Sequence, residues 1–336
     1  MSAPETVRLE PPGLDAIRAA RERIAGRALR TPLVRMPARA GEPEVWLKLE
    51  NLQPIGSFKI RGAASALGLA SPAELARGVY TASAGNMAQG VAWCARELGV
   101  PCAVVVPDTA PRAKLDAVEQ LGARVVPVPF ERWWRVLVER RYEALDGVFV
   151  HPVSDPAVIA GNATIGLEIL EDLPHAAAVL VPYGGGGLSC GIASAMRAAG
   201  SEARVFACEV ETAAPLAASF RANAPQTIQY QPSFVDGIGG RSVLDEMWPL
   251  ASRLLSASVV VTLEEIADAI RVLVARARTV AEGAGGASLA AARTVRAAVG
   301  PGGAAIGLPP GPRVCVVSGG NLDAAKLAQI LAGGVP

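Results

Sequence analysis

The chain has 336 residues, a formal net charge of +1, and hydrophobic residues at 51% of its positions. That length exceeds what one hydrophobic core usually serves, so two lobes are expected. The densest basic cluster (Arg132, Arg135, Arg140, Arg141) is broken up by glutamates and reads as a solvated helix face, which argues against nucleic-acid binding, and no uncharged apolar run is long enough to span a membrane.

The first segment, MSAPETVRLEPPG, carries acids and no apolar core, so it does not read as a signal peptide. A helical pattern covers 14–25, and a strand over 44–49 runs into the polar turn of KLENLQPIGSFKIRG at 48–62. Ser57 is placed to cap a helix beginning near Phe58, which sets Lys59 in the first turn. The positive helix end and the apolar neighbours Phe58 and Ile60 both favour a neutral amine, the form a Schiff-base nucleophile needs. Taken by itself, a lysine there is more often an ordinary exposed side chain.

Strands over 79–81, 103–106, 124–127 and 147–150 then alternate with helices over 86–98 and 111–121. The aromatic stretch FERWW at 130–134 reads as helical core packing or a lobe interface, with a lid over a bulky substrate as the alternative. HPVSDP at 151–156 is a turn-rich joint, followed by a helix over 162–171. The apolar strand over 178–181 leads into Gly184, Gly185, Gly186, Gly187 and Leu188, with a helix over 189–199 behind them. Consecutive glycines let backbone N–H groups approach a ligand closely, and the helix end adds positive partial charge, so the turn reads as a phosphate cradle. Neither the P-loop spacing nor that of dinucleotide sites is present.

Strands over 205–209, 258–261 and 314–317 follow, with helices over 263–277, 286–299 and 322–331. The stretch 300–312 reads as a surface loop. Strands alternating with helices predict an α/β fold with parallel sheets wrapped by helices. Cys94, Cys102, Cys190, Cys208 and Cys315 form no CxxC pair and read as reduced cytosolic thiols. His151 and His175 lie in no metal-ligand spacing, which leaves little material for a histidine base.

The segment ENLQPIGSFKIRGA at 50–63 resembles the lysine motif of the serine/threonine dehydratases, which belong to the fold-type II (tryptophan synthase β-like) pyridoxal phosphate (PLP) enzymes. The resemblance runs over nearly the whole chain, through TPL at 31–33, SAGNMAQG at 83–90, the glycine loop, AEGAG at 281–285 and VSGGN at 317–321. It implies a larger lobe from 1–75 and 157–336, a smaller lobe, 76–156, inserted between them, and parallel or mixed sheets flanked by helices. It also implies that Lys59 carries PLP as a Schiff base and acts as the base on Cα. Phe58 would lie against the ring, and Gly184 to Gly187 with Leu188 would hold the phosphate. Asn86 would bond the phenolic oxygen, Glu282 would sit near the ring edge, and Ser318 would face the pyridine nitrogen. Backbone N–H groups of Ser83, Ala84, Gly85, Asn86 and Met87 would hold the substrate carboxylate. A neutral hydroxyl at Ser318 does not force protonation of the ring, which suits β-elimination more than transamination.

The implied reaction converts L-threonine, L-serine or a related β-hydroxy amino acid to a 2-oxo acid and ammonia. The alternatives are a dehydratase of a bulkier substrate, a threonine synthase-like enzyme, or a PLP-binding protein without turnover. Three departures stand out. Met87 occupies a place usually held by His, Ala84 replaces the Ser of the racemase branch, and Pro215 replaces an acid of the family's divalent-cation site. Glu209, with Glu211 nearby, is what remains of a Mg²⁺ or Ca²⁺ site. A homodimer in the cytoplasm is expected, without the regulatory domain of biosynthetic threonine deaminases and without the isoleucine feedback it confers.

Overall fold

The computed structural model describes residues 9–336 apart from 39, 40 and 295, so most of the N-terminal stretch considered for a signal peptide lies outside the described residues. Helix α1 (Leu14–Ile24), strands β1 (Leu33–Arg35) and β2 (Val45–Lys48), and helices α2 (Lys59–Leu67) and α3 (Pro72–Ala76) come first. An alternating run follows: β3 (Val79–Ala82), α4 (Asn86–Leu98), β4 (Cys102–Pro107), α5 (Arg112–Gln120), β5 (Arg124–Val128), α6 (Phe130–Glu139) and β6 (Val148–Phe149). Next are α7 (Pro156–Asp172), β7 (Ala178–Pro182), α8 (Gly187–Ala198), β8 (Arg204–Val210), α9 (Pro215–Ala222) and α10 (Trp248–Leu254). The chain closes with β9 (Ala257–Val261), α11 (Leu263–Val272), α12 (Gly283–Arg293), β10 (Ala298–Val299), β11 (Ala305–Ile306), β12 (Arg313–Val316) and α13 (Ala324–Leu331).

The strands divide into two sheets. β5-β4-β3-β6 pair wholly in parallel. The others form one mixed sheet in the order β1-β2-β12-β7-β8-β9-β10-β11, parallel from β2 to β9 with antiparallel edges. Every residue of the central β7 is buried, as a parallel strand covered on both faces requires. One core lies between this sheet and α11–α12, and a second lies between it and α7, α8 and α10. The last strand, β12, inserts between β2 and β7, so the Lys59 segment and the glycine turn flank one strand.

Several local expectations change. Ser57 does not cap α2: Phe58 is the N-cap residue, and the buried Ser57 hydroxyl has no hydrogen-bond partner among the described residues. The backbone of Ser57 instead bridges to Gly319. The helix expected over 162–171 begins at Pro156, because Asp155 accepts hydrogen bonds from the N–H groups of Ala157 and Val158, and proline suits the first helical position. Beyond Val272 the helix continues as a π-turn, Leu273–Ala277. The helix expected over 286–299 spans Gly283–Arg293, and the stretch 300–312 holds β11, paired with β10 through a turn in which Gly302 and Gly303 have positive φ.

Helix α2 is anchored by buried charge. Arg61 donates to both oxygens of Glu50 (2.8 Å each) and both of Glu168 (2.6 and 2.9 Å), to the Thr164 hydroxyl and to the Leu29 carbonyl. Lys48 donates to Glu168 at 2.5 Å and to the Thr31 carbonyl at 2.6 Å. Two cations and two carboxylates therefore cancel inside the protein, with their remaining lone pairs met by Thr31 and Gln53. Burial pushes the Glu50 carboxyl up, but the adjacent Arg61 outweighs it and holds the group below its ordinary range.

Candidate active site

A cavity of about 330 Å³ opens at the carboxyl ends of β3, β7 and β12, where α/β folds commonly bind ligands. Lys59, Ser83 to Met87, Gly184 to Leu188, Glu282 and Ser318 all line it. Phe58 is on the same wall, its ring centroid 5.2 Å from Lys59 Nζ. The sequence thus singled out one constellation, although its members come from segments more than 250 residues apart.

Lys59 is the first residue of α2 and is partly buried. Its amine donates to the Pro152 carbonyl at 2.8 Å. Desolvation lowers its pKa to about 8, against the opposing pull of the Glu282 carboxylate. About one-tenth of the amine is therefore neutral at pH 7, far more than for an ordinary lysine, and the neutral form is the one that attacks a carbonyl.

The glycine turn is built for close approach. A Cβ on Gly185 would stand 2.6 Å from both methyls of Val153, and one on Gly187 would stand 2.7 Å from the Val153 carbonyl oxygen. Gly186 has φ +94, in the left-handed region that side chains avoid. Helix α8 starts at Gly187, so its unpaired N–H groups face the same space. Pro152 and Val153 are adjacent, and one loop therefore touches both the amine and the cradle. His151 shapes that loop by accepting from the Val153 and Ser154 N–H groups. Burial, with Arg140 and Lys59 nearby, lowers the His151 pKa to about 3, so it is a neutral structural acceptor.

Opposite the cradle, Asn86 donates to Glu282 at 2.9 Å and accepts from Asn321 at 2.8 Å. Asn86 is the first helical residue of α4, and Gly85 rather than Asn86 is the N-cap. Burial raises the Glu282 pKa to about 7, moderated by the hydrogen bond from Asn86. Ser318 is buried just beyond β12, and its carbonyl accepts from the Phe58 N–H. Ala84 puts only a methyl group on the wall. Met87 is buried and packs into the core beside α2 while also edging the cavity.

Glu209 lies elsewhere. Its oxygens accept from the Leu216 and Ala217 N–H groups and from the Ser258 hydroxyl at 2.6–2.8 Å, so it ties the start of α9 to β9. Glu211 accepts from the Leu263 N–H. Among the described residues no group of three or more His, Cys, Asp or Glu is arranged to hold a metal ion.

Sequence reasoning gave no role to the Pro152 carbonyl, to Asn321, or to Lys114 and Asp236, which pair at 2.5 Å across the cavity wall. Asn321 alone carried a signal, as the last residue of VSGGN.

An amine nucleophile and an anion cradle in one cavity, on this double-sheet scaffold, define an α/β enzyme built around a phosphorylated carbonyl compound. Residues 24–319 match the family "pyridoxal-phosphate dependent enzyme", and the chain belongs to it. It is 40% identical to the L-threonine ammonia-lyase of Thermotoga maritima, over 86% of this chain and 70% of that protein. It is 35% identical to the catabolic L-threonine dehydratase of Escherichia coli, over 95% and 96% of the two chains. Maize serine racemase superposes with a TM-score of 0.83 at 29% identity, covering 96% of this chain and 99% of that one.

Proposed function

We propose that the protein is an L-threonine ammonia-lyase that also accepts L-serine. The observation that carries this is the partly buried Lys59 amine sharing a cavity with the glycine cradle, in a chain whose curated relatives include L-threonine ammonia-lyases.

PLP, when bound, supplies an aldehyde for the substrate amine and a conjugated ring that draws electrons from Cα. The N–H groups of Gly184 to Leu188, at the positive end of α8, would hold its phosphate, and Lys59 would hold its aldehyde carbon. Phe58 would pack against the ring. Asn86 would donate to the ring oxygen, and Ser318 would meet the ring nitrogen. Ser83 to Met87 present backbone N–H groups at the start of α4 for the substrate carboxylate. The Lys59 amine, neutral once released, takes the proton from Cα. Loss of the β-hydroxyl as water, followed by hydrolysis, gives 2-oxobutanoate and ammonia from threonine and pyruvate and ammonia from serine.

Ala84 separates this reading from racemisation. Inversion at Cα needs an acid or base on the face opposite Lys59, and a methyl group moves no proton. The wholly parallel sheet within 79–149 supports reading 76–156 as the smaller lobe, with 1–75 and 157–336 as the larger. No helix of the described residues is long and apolar enough to cross a membrane, and a cytoplasmic homodimer completes the proposal.

The decisive assay measures 2-oxo acid release from threonine, serine, 3-hydroxyaspartate and phenylserine, with phosphate release from a phosphorylated hydroxy amino acid in parallel. Threonine is expected to turn over fastest, and Lys59→Ala to abolish turnover. Phosphate release without 2-oxo acid from any hydroxy amino acid would overturn the proposal.

A further inference from the structure

One backbone carbonyl sets the direction of two amides beside the cavity, those of Asn321 and Asn86. The Ile55 oxygen can only accept, and Asn321 Nδ2 donates to it at 2.9 Å. This fixes which end of the Asn321 amide is nitrogen. The same nitrogen reaches Asn86 at 2.8 Å, so Asn86 must turn its oxygen toward Asn321. Its own nitrogen is thereby directed to Glu282 at 2.9 Å, and the second N–H of Asn86 has no protein acceptor among the described residues. The pose of Asn321 depends in turn on Gly56, where a Cβ would stand 2.5 Å from Asn321 Oδ1.

We infer that Asn321 is a positioning residue: it locks the Asn86 carboxamide so that its unused N–H faces the cavity as a donor to the ring oxygen of PLP. This rests on the role given to Asn86 above. Without Asn321, only the Glu282 contact still favours the donor end, and the two ends of the Asn86 amide are nearly equal in shape, so the acceptor end faces the cavity more often.

The test is the affinity of the apoenzyme for PLP, read by equilibrium dialysis and by the visible absorption band. Asn321→Asp puts an acceptor against both the Ile55 carbonyl and Asn86, and rewards the flipped amide. Its Kd for PLP is expected to rise roughly 10- to 100-fold, with a shifted band. Asn321→Ala is expected to give a smaller loss. In an Asn86→Ala background neither change should weaken binding further, because no carboxamide remains to be oriented. Additive losses in the double variants would mark a merely structural role and overturn the inference, as would a wild-type Kd in Asn321→Asp. If Asn321→Asp fails to fold, Asn321→Ala with its double variant decides by the same criterion. No substrate enters this measurement, so its failure leaves the ammonia-lyase reading intact. A wild-type protein that binds PLP but releases no 2-oxo acid sinks only that reading.

Discussion

Replacing Arg61 with methionine removes one charge from the neutral cluster behind α2 while keeping a side chain of comparable length. Lys48 still pairs with Glu168 and acts on Glu50 only through space, so Glu50 loses its direct ionic partner and keeps the neutral donors Thr31 and Gln53. The cheapest response is to protonate it. From its ordinary value of 4.5, keeping Glu50 neutral at pH 7 costs about 1.36 kcal/mol for each of roughly 2.5 pH units, or about 3.4 kcal/mol. That agrees with the roughly 3–5 kcal/mol typical of breaking a buried ion pair from one side. The pH dependence carries the sharper signature. In the wild type the Glu50 pKa is depressed, so its contribution is present above 4.5 and is lost as pH falls through the folded-state value. In the variant the folded state binds the extra proton, so stability falls as pH rises above about 4.5. The deficit of Arg61→Met should therefore shrink by about 2–3 kcal/mol between pH 7 and pH 5. Urea unfolding of both proteins at the two pH values measures it. A deficit below about 1 kcal/mol, or one that does not change with pH, would refute the reasoning.

Gly187→Ala sets a methyl group against the Val153 carbonyl, which cannot rotate aside, so a loss of about 1–3 kcal/mol in stability and weaker PLP retention are expected from thermal unfolding and dialysis. With the free Lys59 amine titrating at about 8, the rate of PLP capture by the apoenzyme should rise about tenfold from pH 7 to pH 9; a flat stopped-flow profile would contradict that pKa. Glu209→Ala strands the N–H groups of Leu216 and Ala217 and should cost about 1–3 kcal/mol in urea unfolding. Because protein donors already occupy the Glu209 oxygens, a chelator should leave the wild-type unfolding midpoint unmoved; a fall on chelation that Glu209→Ala abolishes would show a cation bound there.

Much of the architecture was legible because period and punctuation agreed. The apolar run at β7, the glycines after it and the helix at α8 each follow from backbone physics alone. What stayed hidden depended on tertiary neighbours. Helix α9 and the short edge strands β10 and β11 carry weak local patterns and owe their form to packing. Ser57 has the right chemistry for a cap, yet its backbone is claimed by Gly319. In the site, Lys59 and the glycine turn were visible as motifs, but the acceptor of the Lys59 amine is the main-chain oxygen of a proline, and no side chain announces a carbonyl. The Asn321–Asn86–Glu282 chain likewise joins three separate segments, and spacing along the sequence carries no trace of it.

The site is stitched from the beginning, middle and end of the polypeptide, with the whole four-stranded sheet and β7 lying along the chain between Lys59 and the phosphate turn. A fragment lacking any of these segments lacks part of the pocket lining, so PLP is expected to bind the folded chain in preference. Free cofactor at a hundred times its dissociation constant then deepens the native basin by about 2.7 kcal/mol without touching any intermediate. Vitamin supply would act on such a protein as a dial for how much of it survives in the cell, apart from setting how fast it works.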